Sequence, residues 1–143
     1  MPMPILAPAA ILVAWSIIML LWAVAVRMPA LKNAKIPKHR TVGGRGSDLD
    51  GILPREIQWK AHNYNHLMEQ PTIFYAVVLI LAVIGHGTGF NATLAWAYVG
   101  LRIVHSIWQA TVNTIPVRFG LFTLSTITLG ALAVNAVRAT SGF

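Results

Sequence analysis

The sequence predicts an all-α fold: an integral membrane four-helix bundle. Three observations carry that prediction. Of 143 residues, 56% are hydrophobic and only 10% are charged, less than half the charge of an ordinary soluble domain. Four apolar stretches are each long enough to cross a hydrocarbon core, which takes about 20 helical residues. The few polar residues within those stretches recur at helical spacing rather than at random.

The first span covers about 4–26 and is apolar except for Ser16. It lacks the basic start of a cleaved leader and is too long for one, so it reads as a true span. Residues 27–56 form a loop rich in Pro, Gly and charge. Within it, Asp48–Gly51 reads as a turn, because the later oxygen ligands of a calcium loop are missing. The second span, 57–84, opens after Pro54 with Glu56 at its positive end. Pro71 removes one backbone hydrogen bond inside it and predicts a kink. A short uncharged turn, Gly85–Asn91, leads to the third span, 92–113. Thr114–Arg118, broken by Pro116, leads to the fourth, 117–137. The whole chain, 1–143, reads as one membrane domain.

Eight of the eleven Lys and Arg residues lie between Arg27 and Lys60. Basic loops stay on the cytoplasmic side, so this loop is expected inside and both termini outside. The stretch lacks an alternating aromatic–basic pattern, which argues against nucleic acid and for anionic lipid headgroups. There are no cysteines, so disulfides, thiolate metal sites and a cysteine nucleophile are excluded. Any thiol chemistry must use a thiol that arrives with a substrate.

The polar residues form stripes. On a helix turning about 100° per residue, Arg55, Gln58, His62, Asn65, His66 and Glu69 fall within about a third of the circumference. In the third span Tyr98, Arg102, His105, Gln109 and Asn113 form a second stripe. A charge at the depth of Arg102 costs about 2.5 kcal/mol or more in lipid, so it must face protein or water. Glu69, the only acid of the spans beyond their ends, is its expected ion-pair partner. Arg118 opens the fourth span on the same side. The expected pocket, in the cytoplasmic half of the bundle, gathers Arg55, His62, Asn65, His66, Glu69, Arg102, His105, Gln109, Asn113 and Arg118. Alternatively, such residues simply fix helix packing. His62, His66 and Glu69 have the spacing of a zinc site, but the neighbouring arginines oppose a cation, and no metal is expected. A serine triad is unsupported, since Ser106 points about 100° away from His105. A small transporter is a further reading, without the repeats that would support it.

The runs AHNYNHLMEQPTIFY (61–75) and AYVGLRIVHSIWQATVNTIPVRF (97–119) resemble the MAPEG family, the membrane-associated proteins in eicosanoid and glutathione metabolism. The resemblance extends to length and four-span layout. It implies a homotrimer that binds glutathione between subunits near the cytoplasmic face and acts as a transferase, peroxidase or isomerase. Other members bind lipid without known catalysis. Asn65 and Pro71 match the family pattern of the second helix; Arg102 and His105 match Arg-x-x-His on the third. Arg118 stands where family members place an arginine at the thiol, and is the expected catalytic residue. Four positions depart from the pattern: Ala61 for Arg, Met68 for Glu (with Glu69 one place late), Gln109 for Tyr and Phe119 for Ser. The resemblance thus implies a divergent, bacterial-looking member in an inner membrane. Its co-substrate would be glutathione and its second substrate a lipophilic electrophile. The alternative is a non-catalytic lipid-binding or scaffold protein of the same fold.

Overall fold

The computed structural model describes residues 3–142. These residues form α1 (Leu6–Asn33), α2 (Arg55–Leu67), α3 (Gln70–Val83), α4 (Gly89–Thr111) and α5 (Ile115–Ser141), with short 3-10 turns at Lys38–Arg40 and Gly46–Leu49. The result is an all-α bundle. A chain crossing hydrocarbon must satisfy its backbone internally, and helices do so residue by residue. Three segments are long and apolar enough to cross a membrane: Leu6–Asn33, Arg55–Val83 and Ile115–Ser141. The 23 residues of α4 reach about 34 Å, but the polar stripe lowers its hydropathy.

Each helix buries one seam. On α1 the buried positions are Pro8, Leu12, Ser16, Met19 and Ala23, spaced three or four apart as one face of a helix requires. The outward residues Ile11, Ile17, Leu21 and Val24 are exposed and apolar, as suits a lipid or subunit contact. α4 packs most closely on α5, and α1 on α2. The ring of Phe74 on α3 stacks on Tyr98 of α4 at 4.4 Å. At one end of the bundle, Ile5 N–H donates to the Gly87 carbonyl (3.0 Å).

The second span is two helices, not one kinked helix. Pro71 has no N–H for the Leu67 carbonyl and its ring crowds that turn. The chain therefore leaves helical geometry at Met68 and Glu69, where Glu69 has ψ −97°. Thr72 rebuilds the start of α3: its N–H (3.2 Å) and its hydroxyl (2.6 Å) both donate to the Glu69 carbonyl. α1 continues beyond Val26 to Asn33, so Arg27 stands on a helix and not in the loop.

Candidate functional site

The polar residues of α2 do not share one face of one pocket. They divide among three places, because α2 packs on both α1 and α4 and also meets the 46–50 segment of the loop.

The first is a recess of about 210 Å³ lined by His66, His105, Ile115, Arg118, Phe119 and Phe122. The rings of His66 and His105 lie 4.9 Å apart, and Phe122 lies 5.5 Å from His66. Arg118 is in the first turn of α5, after Pro116 has set the helix start. Its guanidinium donates to Asn113 Oδ1 (2.5 Å). Asn113 holds a left-handed φ of 55°, a conformation asparagine tolerates better than most residues. Trp108 Nε1–H donates to Thr114 Oγ1 (3.0 Å) and ties down the same turn. Phe119 and Ile115 carry the recess outward as exposed apolar surface.

Arg102 lies behind this recess with no exposed surface. Its Nη2 donates to the His66 carbonyl (3.3 Å), close to the break that Pro71 makes. Its Nε and Nη1 have no partner among the described residues. The expected Arg102–Glu69 ion pair does not form among the described residues. Glu69 is exposed and pairs with His66 Nδ1 (3.1 Å) instead. The break is the reason: the wheel that aimed Glu69 at Arg102 assumes an unbroken helix. Gln109 is buried, with its Oε1 unpartnered.

The second place is a groove of about 470 Å³ between α1 and α2. Leu20, Ala23, Val24 and Arg27 form one wall; Ala61, Tyr64 and Asn65 form another; Arg45, Gly46 and Ser47 close it. Asn65 lies here, and not in the recess with Arg118.

The third is a pocket of about 270 Å³ holding Arg55, His62, Gln58 and Asp50. Asp50 Oδ1 accepts from Gln58 Nε2 (2.6 Å) and meets His62 Nε2 at 3.0 Å. The Gln58 amide holds the Asp50 carboxyl below its ordinary value, helped by the charges of His62 and Arg27 and opposed by slight burial. Arg55 and His62 therefore serve the loop and do not reach the recess.

Two residues that the stripes left out are central to the core. Asn63 Nδ2 donates to Ser106 Oγ (2.7 Å), which also accepts from Trp15 Nε1 (3.0 Å). Both Asn63 and Ser106 are buried. Each directly follows a stripe histidine, and that shared offset was the available signal. Among the described residues no group of three or more His, Asp or Glu is placed to hold a metal ion.

Neither a curated protein nor a solved structure matches the chain. The sequence model of the MAPEG family matches residues 5–138. With nearly its whole length matched, and with helices able to span a bilayer, this integral membrane protein belongs to the MAPEG family.

Proposed function

We propose that the protein is a homotrimeric, glutathione-dependent transferase or peroxidase-like enzyme that acts on a lipophilic electrophile at the cytoplasmic side of a bacterial inner membrane. One observation carries the reading. Arg118 sits in the first turn of α5, fixed by Asn113, beside two histidines in a recess whose outer wall is apolar. A positive guanidinium at the positive end of a helix favours a thiolate over a thiol. The thiolate sulfur attacks the electrophilic carbon and forms a C–S bond. The leaving group departs with its electron pair and takes a proton from water. Ile115, Phe119 and Phe122 suit a reactant arriving from the bilayer.

A recess of about 210 Å³ is below the usual range of about 300–1,000 Å³ for ligand pockets. The tripeptide needs a second wall. We infer that it comes from a neighbouring subunit, whose Arg27–Asn65 groove faces this recess in a trimer. On this reading Arg118, His105, His66, Arg102 and Asn113 serve the thiol end. Arg27 and Asn65 of the neighbour hold the anionic tripeptide. Glu69, next to His66, orients that imidazole. The exposed apolar faces of α1 and α5 leave ample surface for such an assembly.

A second reading, a lipid-binding or scaffold protein, rests on Ala61, Met68, Gln109 and Phe119 at positions where the family pattern has Arg, Glu, Tyr and Ser. Two measurements separate them. Glutathione at about 100 times its Kd should stabilise the folded trimer by about 2.7 kcal/mol. Arg118→Ala should lower thiol conjugation to a model electrophile by about 100-fold. No stability shift would favour the scaffold; unchanged turnover would remove Arg118 from the chemistry.

A further inference from the structure

We propose that Gln58 is a positioning residue: it straps the Gly46–Asp50 segment onto the helices, and that segment is the outer wall of the Arg27–Asn65 groove. The inference rests on the reading that glutathione uses this groove.

Gln58 is only 2% exposed, although it stands one turn into a helix beside a surface loop. A buried amide is costly without partners. Gln58 Nε2 finds two, and they are the two ends of the segment: the Gly46 carbonyl (3.2 Å) and Asp50 Oδ1 (2.6 Å). From the other side, Arg27 on α1 donates to the same Gly46 carbonyl (2.7 Å). The approach is close: a Cβ at position 46 would lie 3.2 Å from the Arg27 guanidinium nitrogens and would push that side chain back by a few tenths of an ångström. Within the segment, Arg45 N–H donates to Asp48 Oδ2 (2.7 Å) and sets the turn. Donors from α1 and α2 thus converge on one carbonyl. No apolar core holds the turn, since none of its residues from Gly46 to Leu49 is buried, and such segments open easily. If the strap is released, the groove becomes two bare helix faces. Arg27 and His62 also touch the segment, but Gln58 alone reaches both of its ends; both bonds use Nε2, and its buried Oε1 has no partner. It touches no substrate; it acts through Gly46, Ser47 and Arg45.

The test uses the detergent-purified full chain. Gln58→Met keeps the side-chain volume and deletes the donors. Trypsin cleavage after Arg45 should accelerate about 10-fold, with the melting temperature of the bundle nearly unchanged. The KM for glutathione should rise about 10-fold, with kcat within about 2-fold of wild type. Should Gln58→Met fail to fold, Asp50→Ala, at an exposed position, removes one latch without disturbing the core and should give the same acceleration. Unchanged cleavage after Arg45 in the folded variant would overturn the strap. Faster cleavage with unchanged KM would uphold the strap and overturn the assignment of glutathione to this groove.

Discussion

Arg102 shows how far a single residue can be read from sequence. Its depth in the third span already demanded polar company, and the structure supplies the His66 carbonyl (3.3 Å). The identity of the partner was not legible. Glu69 was the expected one, but its direction depends on a backbone break that hydrophobic periodicity cannot display. Asn63 and Ser106 were missed for a related reason. A helical wheel ranks residues by angle and does not know which neighbour flanks each face. Two nitrogens of Arg102 remain unpartnered, so this guanidinium carries a desolvation cost that its one hydrogen bond does not offset. Arg102→Met should therefore leave the melting temperature in detergent unchanged or raise it by a few degrees; on the proposed function, any stabilisation by added glutathione should fall. A large loss of stability without ligand would show instead that Arg102 is a structural staple.

Elements were more legible than residues, within limits set by what determines them. Apolar length and the prolines marked the three segments that are long and apolar enough to cross, because hydrocarbon thickness and the missing proline N–H act locally. Pro71 announced a disruption; that it falls at Met68–Glu69 and splits the span depends on Thr72 recapping α3. The loop was legible only as a loop, since its shape depends on donors from α1 and α2. Its Gly46–Asp50 segment predicts a pH response. The carboxyl of Asp50 is held below its ordinary value, first by the Gln58 amide and then by the charges of His62 and Arg27. A depressed native pKa means that the stabilisation is fully present above the unfolded value of about 3.9 and is lost as pH falls through the native value. Hydrogen-exchange protection of the 46–50 amides, corrected for intrinsic rate, should hold steady from about pH 7 to pH 5 and decline below about pH 4. Loss of protection near neutrality would assign the latch to another group.

At the scale of the whole molecule, family and bundle were plain from the sequence, while the division of the polar residues was not. Projected on one helix, Asn65 and His66 look like neighbours in one pocket. In the folded chain they line different cavities, as adjacent residues about 100° apart on a helix can. If two subunits complete each site, inactive variants should complement one another. Arg118→Ala trimers and Arg27→Ala/Asn65→Ala trimers should each be inactive, while co-expressed mixed trimers should regain a substantial share of wild-type conjugation. Mixed trimers as inactive as their parents would place all the essential groups within one subunit.

The broken second span has a last consequence for the surrounding lipid. α3 has 14 residues, about 21 Å at 1.5 Å per residue, roughly 9 Å short of a typical hydrocarbon layer. The whole segment Arg55–Val83 is long and apolar enough to cross, so the final turns of α2 complete the span and carry His66 toward the membrane. On the proposed function, that would bring a water-soluble thiol and an oil-soluble reactant to the same depth.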